Sequence, residues 1–282
     1  MKELPIPTLA LSHMDLSTGS LLRGGREIPI TPQPDQQPSA ERIQIVWARH
    51  QDEVRLAQQL RYQVFACEMG ARLDTPLPGH DVDRFDDFCE HLLARDGDTG
   101  QVIGTYRVLT PTQAERAGGA YSDIEFDLSP LRDLRPKMVE LGRSCVHANF
   151  RHGGVIMSLG GALYEFMARN QLETMMGCAS IPMLHNGMVS GDVAASVWRQ
   201  LQISHLASPE IQVRARLPLP VDFLDATLDV DPPALIRGYL RQGAKVLGAP
   251  AWDPDFNTAD LPLLIRVKDA PSRYLKRFAG AV

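Results

Sequence analysis

The feature that most constrains the fold of this chain is a strand, a glycine turn and a long helix in direct succession. Residues 138–147 have the composition of a strand, Gly153 and Gly154 follow, and residues 155–170 carry apolar side chains at helical spacing. A helix that opens at a glycine turn presents unpaired backbone N–H groups at its positive end, and these can hold a phosphate. Two adjacent glycines before a helix are also common in plain turns, so these residues alone leave both interpretations open.

The rest of the chain alternates between strand and helix patterns, which predicts a mixed α/β fold without internal repeats. Residues 1–40 contain six of the 21 prolines and no sustained periodicity, so we predict a flexible leader followed by one domain over 41–282. The predicted strands are 43–49, 91–95, 102–109, 138–147, 174–181, 211–217 and 263–267. One predicted helix starts at Asp52, and three others cover 155–170, 186–201 and 233–242.

Charge and cysteine content exclude several classes of protein. The 34 acidic and 29 basic side chains give a formal net charge of -5, which argues against nucleic acid as a partner. The four cysteines form no C-x-x-C pair for zinc or redox chemistry, so we predict buried free thiols. Without a secretory signal or a membrane-spanning apolar run, the sequence predicts a cytoplasmic protein, with at most peripheral contact with the inner membrane.

The glycine turn and its flanks resemble motif A of the GNAT acyltransferase superfamily. The resemblance implies a mixed central sheet flanked by helices, with a turn that grips the phosphate of a pantetheine group. The implied phosphopantetheine-binding residues are Arg151, His152, Gly153 and Gly154. This sequence has Ile156 where the family usually has its second glycine or alanine, which fits a donor with one phosphate better than the pyrophosphate of coenzyme A.

Three spaced motifs are similar to those of the acyl-homoserine lactone synthases, which transfer acyl groups from acyl carrier protein to the amine of an amino-acid derivative. They are RYQVF at 61–65, the aspartates at 83 and 86, and ELGR at 140–143. The resemblance implies that Glu140 and Arg143 are catalytic. The implied substrate-binding residues are Arg61, Phe65, Asp83, Asp86 and Arg107.

A third resemblance favours one family among these acyltransferases. The runs ELGRSCVH at 140–147, GCASIP at 177–182 and the long block 232–261 resemble the ornithine N-acyltransferases of bacterial ornithine-lipid synthesis. This implies L-ornithine as acceptor, a 3-hydroxyacyl group on the 4′-phosphopantetheine arm of acyl carrier protein as donor, and lyso-ornithine lipid as product. It also implies a family-specific C-terminal extension from about residue 205, no metal and no permanently bound cofactor.

Amide formation from a thioester needs a neutral amine, so a base must accept a proton at neutral pH. Glu140 is our candidate, and the alternative is a strand-edge carboxylate paired with Arg143 or solvent. Residues three apart on a regular strand face opposite sides, so a site shared by Glu140 and Arg143 predicts a β-bulge, most naturally at Gly142. Arg143 could orient Glu140 or hold the substrate carboxylate, and the sequence leaves both roles open.

Other polar residues have two interpretations each. The aspartates at 81, 83, 86 and 87 could hold ammonium groups of a diamino acid or form a solvated capping loop. His147 and His152 could donate to phosphate, but single histidines are more often structural, so we keep them outside the catalytic set. Cys145 lacks an adjacent base, which argues against a covalent acyl-enzyme and favours direct transfer.

Basic residues suggest two contact surfaces. Acyl carrier proteins are acidic, and the candidate docking residues are Arg132, Arg135, Lys137 and Arg151. The basic tail could touch anionic lipid or form a solvated helix, and its cations are Arg266, Lys268, Arg273, Lys276 and Arg277. The competing functions are a signal synthase, another N-acyl amino acid synthase, and a carrier- or lipid-binding module that has lost catalysis.

Overall fold

The computed structural model describes residues 43–185 and 187–271. The predicted leader at 1–40 and the tail cations Arg273, Lys276 and Arg277 lie outside the described residues. Five α-helices and twelve strands occupy the described ranges. The helices are α1 (Gln51–Tyr62), α2 (Pro111–Arg116), α3 (Gly154–Arg169), α4 (Asp192–Ser204) and α5 (Ala234–Arg241). The strands are β1 (Ile43–Trp47), β2 (Glu90–Asp96), β3 (Val102–Leu109), β4 (Phe126–Asp127), β5 (Met138–Val146), β6 (Thr174–Pro182), β7 (Leu184–His185), β8 (Met188–Val189), β9 (Arg214–Ala215), β10 (Lys245–Val246), β11 (Ala251–Asp253) and β12 (Thr258–Arg266).

One large mixed sheet organises the molecule, which confirms the predicted fold class. Its strand order is β1-β2-β3-β5-β6-β12-β10, and β11 also pairs with β12. Neighbouring strands are antiparallel, except that β5 and β6 are parallel among the described pairs. Leu93 packs in the same core cluster as residues of α1, and the adjacent Leu92 packs with α3, so the two helices cover opposite faces of the sheet.

The strands β5 and β6 separate part of the way along their length. They pair only from Met138 to Glu140 against Thr174 to Met176. Just past this pairing the Leu141 carbonyl still lies so close to Gly177 that a Cβ at this position would collide with it, and no pairing follows further along the two strands. The separation leaves a cleft in the middle of the sheet.

The predicted bulge in β5 is confirmed, but its position differs. Thr105 of β3 faces Cys145 while Arg107 faces Gly142, so β5 holds one residue more than β3 between these pairs. The left-handed residue is Arg143, with φ +49°, rather than Gly142. A left-handed backbone costs an L-residue roughly 1–2 kcal/mol, so the contacts of the Arg143 side chain must offset this strain.

Several predicted boundaries differ from the structure. The helix predicted at 186–201 begins only at Asp192, because β7 and β8 form a small hairpin before it. The strand predicted at 211–217 reduces to β9, since prolines at 209, 218 and 220 remove backbone donors around it. The strand predicted at 263–267 begins at Thr258, and the extension beyond residue 205 thereby contributes β10, β11 and β12 to the central sheet. The cysteines are all free, but only Cys145 of the four is fully buried; Cys89 and Cys178 are partly buried, and Cys67 is exposed.

Candidate active site

A cavity of about 670 Å³ lies where β5 and β6 separate. Its lining includes Glu140 and Arg143 from the bulged strand β5. It also includes Arg151 and Gly153 from the turn that opens α3. The fold therefore places the predicted catalytic pair and the predicted phosphate-binding turn on the wall of one cavity.

Glu140 is a buried carboxylate, 7% exposed, that is held by three donors. One oxygen accepts from the backbone N–H of Tyr121 at 2.7 Å, and the other accepts from the N–H of Ser122 at 2.6 Å and from the Ser122 hydroxyl. Burial raises the pKa of Glu140 above its usual value, although the hydrogen bonds from Ser122 and Tyr121 oppose this shift. Glu140 thus fixes the 3₁₀ turn Tyr121–Asp123 against the cavity.

Arg143 projects from the bulge into a pocket of aromatic and acidic groups. Its guanidinium carbon lies 4.8 Å from the ring centroids of both Tyr121 and Phe256. Its Nη2 donates to Asp83 at 3.3 Å, and its Nε lies 3.1 Å from an oxygen of Asp81. Burial lowers the pKa of Arg143, but Tyr121 and Asp81 raise it by more, so the side chain stays cationic. Among the described contacts, Glu140 and Arg143 share the cavity wall without forming an ion pair.

Arg143 belongs to a buried set of ion pairs, which we call the arginine–aspartate network. Its members are Arg61, Asp81, Asp83, Asp86, Arg107 and Arg143. Arg61 is 0% exposed and donates to Asp81 at 2.8 Å and to both oxygens of Asp86 at 2.9 Å. Arg107 donates to Asp83 at 2.6 Å and to Asp86 at 3.2 Å. The structure thus joins four of the predicted substrate-binding residues to one another.

The network determines the ionisation of its carboxylates. Burial raises the pKa of Asp86, but Arg61 and Arg107 lower it by more, so the net pKa lies well below the usual value. For Asp83, burial is likewise outweighed by Arg107 and Arg143, and the pKa falls. These carboxylates are therefore anions with counter-ions from the protein itself, and their contact with substrate stays a prediction.

Phe65 is the fifth predicted substrate-binding residue, and it lies on the cavity wall beside Val64. Both belong to the π-helical turn Gln63–Glu68 that continues α1. The Phe65 ring packs edge-on against Phe256 with their centroids 5.7 Å apart. Phe256 is one of the two rings on Arg143, so this contact joins the apolar wall to the cationic pocket.

The turn before α3 has the geometry of an open helix start. Gly153 is the N-cap with φ +92°, a conformation that favours glycine. Arg151 donates to the carbonyl of Val146 at 2.9 Å and to Glu68 at 2.5 Å. His152 and Gly154 flank the turn outside the described lining of the cavity. The phosphate-binding role of these four residues stays a prediction.

A second acidic group, which we call the acidic trio, was missed by the sequence reasoning. Glu125, Asp253 and Asp260 line the cavity and have carboxylate oxygens within 4.8 Å of one another. Both oxygens of Glu125 are buried and lack a hydrogen-bond partner among the described residues. Burial and the charge of Asp260 raise the pKa of Glu125 well above its usual value, and burial raises the pKa of Asp260 to about 6. The acidic residues around 253–260 are a sequence signal that could have indicated Asp253 and Asp260. No sequence signal indicates Glu125.

The remaining predicted residues have local partners. His147 accepts a hydrogen bond from the backbone N–H of Asn149 at 3.3 Å and packs on Phe150, which fits its structural interpretation. Burial raises the pKa of the Cys145 thiol to about 12, which agrees with its exclusion as a nucleophile. In the proposed docking patch, Arg135 pairs with Asp123 and Lys137 with Glu173, and carrier-protein binding there stays a prediction. None of the helices in the described ranges has the length and apolar character needed to cross a membrane.

Comparison with known proteins identifies the family. Residues 60–160 match the family described as acetyltransferase (GNAT) domain. The chain is 32% identical over 259 residues to the L-ornithine N(alpha)-acyltransferase of Brucella abortus, covering 84% of this chain and 89% of that protein. It is 35% identical over 233 residues to the enzyme of the same name from Rhodobacter capsulatus, covering 77% and 87%. Among solved structures it is similar to the CoA-dependent acyl-homoserine lactone synthase BjaI with SAM and isopentyl-CoA, at 16% identity and a TM-score of 0.49, covering 85% of this chain and 89% of that one. The protein therefore belongs to the L-ornithine N(alpha)-acyltransferase family.

Proposed function

We propose that this protein transfers an acyl group from the 4′-phosphopantetheine thioester of an acyl carrier protein to the α-amine of L-ornithine. The names of its relatives support the acceptor and the type of reaction. The observation that carries the proposal is the single cavity that joins the turn at Gly153 to the buried carboxylate of Glu140. A thioester at the end of a pantetheine arm needs such a passage between its phosphate and the reacting carbonyl.

The donor would enter from the start of α3. Backbone N–H groups of the first helical turn and the nearby Arg151 suit one phosphate. Beyond Glu140 the backbone of β5 no longer pairs with β6, which leaves polar groups free to bond the amide units of a pantetheine arm. An N–H in the same stretch could stabilise the oxyanion of the tetrahedral intermediate. Phe65 would border the acyl chain.

Glu140 is the proposed base. Glu140 first accepts a proton from the α-ammonium group, directly or through water, and passes it to solvent; the neutral α-nitrogen then attacks the thioester carbonyl, the C–N bond forms and the C–S bond breaks. The second proton, lost from nitrogen in the tetrahedral intermediate, passes by way of Glu140 to the departing thiolate. Burial raises the pKa of Glu140 above its usual value, and a carboxylate with a raised pKa is a stronger base. The donors on Tyr121 and Ser122 hold the carboxylate in place without neutralising its charge.

Arg143 would hold the α-carboxylate of ornithine. The arginine–aspartate network fixes its position, and the rings of Tyr121 and Phe256 pack on its guanidinium. In this proposal Arg61, Asp86 and Arg107 act through Arg143 by maintaining its surroundings. The 3-hydroxyl group of the donor follows from the family resemblance.

The test is acyl transfer by purified protein from a 3-hydroxyacyl carrier protein to ornithine, with thiol release and product mass as readouts. Glu140→Gln should lower kcat by about 10²–10⁴-fold, the range of general-base catalysis, while circular dichroism and Tm show that the fold survives. The control is Glu165→Gln, which removes a carboxylate paired with Arg169 on the outside of α3. A Glu140→Gln enzyme with near-normal kcat and an unchanged pH profile would exclude Glu140 as the base.

A further inference from the structure

The acidic trio is an unusual feature for a cavity wall because three carboxylates lie close together without a salt bridge to any described lysine or arginine. Among the described residues, no lysine or arginine forms an ion pair with Glu125, Asp253 or Asp260. Both oxygens of Glu125 are buried, and their one described polar neighbour outside the trio that affects their pKa as a donor is the weak Cys178 thiol. Buried charge without a partner is unfavourable, so such groups are retained where something else supplies the partner.

Three separate segments of the chain build the trio. Glu125 directly precedes β4, Asp253 ends β11, and Asp260 lies on β12 opposite Ser180 of β6. Asp253 and Asp260 thus belong to the C-terminal extension and Glu125 to the segment before β4, and all three line the cavity where β5 and β6 separate.

Two polar side chains, Ser122 and Cys178, connect Glu140 with Glu125 of the trio. The Ser122 hydroxyl, which donates to Glu140, lies 3.3 Å from the sulfur of Cys178. The Cys178 thiol is in turn close enough to Glu125 to lower its pKa, although burial and Asp260 raise it by more. The wall of the cavity thus carries two acidic positions, Glu140 and the trio, which are connected through the side chains of Ser122 and Cys178. A diamino acid of five carbons also has two positions to bind, because it carries two amines whose nitrogens lie about 6 Å apart when the chain is extended.

We propose that Glu125, Asp253 and Asp260 form the subsite for the side-chain ammonium group of the acceptor amino acid. This inference rests on the proposed function, because it assigns the second amine of the acceptor while Glu140 serves the first. The subsite selects acceptors that carry a cation at the end of a short chain over neutral amino acids of the same shape.

An ammonium group fits the available oxygens better than a divalent cation does. One oxygen of Asp253 already accepts backbone N–H groups of Asp255 and Phe256 at 2.9 and 3.0 Å. One oxygen of Asp260 accepts the Thr258 hydroxyl at 3.0 Å. Calcium takes six to eight oxygen ligands, whereas an ammonium group needs only three acceptors. One carboxylate oxygen from each member of the trio supplies that number.

Steady-state transfer to L-ornithine and to L-norvaline tests the proposal, because norvaline has the same carbon chain without the side-chain amine. Wild type should prefer ornithine in kcat/KM. Glu125→Gln should lower kcat/KM for ornithine by roughly 10- to 100-fold, as expected for loss of a hydrogen bond between charged groups, and leave norvaline unchanged. The matched control is Asp255→Asn, an acidic residue of the same loop whose side chain is 69% exposed.

A binding measurement separates this proposal from the chemistry. Ornithine should raise the Tm of wild type and of Asp255→Asn, but not of Glu125→Gln, and this readout does not require acyl transfer. An equal loss of kcat/KM for both acceptors in Glu125→Gln would overturn the subsite. So would activity that EDTA abolishes and Ca²⁺ or Mg²⁺ restores. If wild type transfers acyl groups to neither acceptor, the proposed function fails instead, whatever the Tm measurements give.

Discussion

Two groups of buried carboxylates lie beside the same cavity and differ in one respect. In the arginine–aspartate network, arginines from α1, β3 and β5 meet the carboxylates of Asp81, Asp83 and Asp86. In the acidic trio, no arginine or lysine of the described ranges forms an ion pair with any member. Burial acts on both groups in the same direction, yet the pKa of Asp86 falls while the pKa of Asp260 rises to about 6.

The difference indicates what each group is for. A carboxylate with a counter-ion from its own chain holds structure, because its charge is already satisfied before any ligand arrives. A carboxylate without one weakens the unliganded fold and gains most when a cation binds. On this basis the network is scaffold for Arg143, and the trio is a binding site whose energetic cost is offset by the acceptor.

The largest expected effect comes from breaking the network. Arg61→Met removes a guanidinium that contacts both Asp81 and Asp86, and it leaves two buried anions without this partner. Loss of one partner from a buried ion pair typically costs about 3–5 kcal/mol. The free energy of unfolding, measured in urea, should fall by that amount.

The matched control is Arg72→Met, whose guanidinium lies 3.7 Å from Asp255 in an exposed pair. Exposed pairs contribute about 0–1 kcal/mol, so the unfolding free energy should change little. If Arg61→Met and Arg72→Met lose equally little stability, the network is not scaffold and the contrast with the trio disappears.

A substitution in the trio should change the stability of the fold by less than Arg61→Met does, and in the opposite direction. Glu125→Gln removes an ionisable group whose folded-state pKa is raised, chiefly by burial and by Asp260. The stability contributed by such a carboxyl is present below its unfolded pKa of about 4.3 and is lost as pH rises through the folded pKa. At neutral pH the variant should therefore be more stable than wild type, by about 1 kcal/mol or about 2–4 °C in Tm.

Scanning calorimetry without substrate measures this shift, and Glu165→Gln on the surface of α3 serves as the neutral reference. A lower Tm for Glu125→Gln would mean that the Glu125 carboxylate already has a stabilising partner, and the trio would then resemble the network.

How far each group could be predicted from sequence follows from how it is built. Arg61, Asp83, Asp86 and Arg143 belong to spaced motifs that resemble a known family, so the sequence alone indicates them as site residues. Their mutual pairing was not predicted, because pairing depends on how the loop before β2 folds back on α1. A bulge in β5 was predicted because Glu140 and Arg143 had to share one site, but it was predicted at Gly142, whereas the left-handed residue is Arg143, whose side chain contacts Asp83.

The trio escaped prediction for physical reasons. Glu125 follows a 3₁₀ turn with no periodic pattern, and more than one hundred residues separate it from Asp253. The strand prediction at 263–267 excluded Asp260, since Pro262 reads as a break in a strand. In the structure Pro262 lies within β12, where the adjacent β6 pairs along its full length, and Asp260 is thereby carried to the cavity wall.

The last expected effect is confined to part of the pH range and concerns Asp260 of the trio. Burial raises the pKa of Asp260 to about 6, so the cost of ionising it in the folded state grows as pH rises through that value. Asp260→Asn should therefore exceed wild type in Tm by a few degrees at about pH 8, and the difference should shrink towards about pH 4.

Other groups titrate in the same interval, but they cancel when the two proteins are compared. Burial lowers the pKa of His91, which destabilises the folded protein as pH falls below the usual histidine value of about 6.5, in wild type and variant alike. The pKa of Asp86 is lowered by Arg61 and Arg107 against burial, so its contribution is lost only under more acidic conditions. Calorimetry of both proteins across this range gives the difference directly. A difference in Tm that does not change with pH would mean that Asp260 keeps one protonation state throughout, and the electrostatic contrast between the trio and the network would lose its basis.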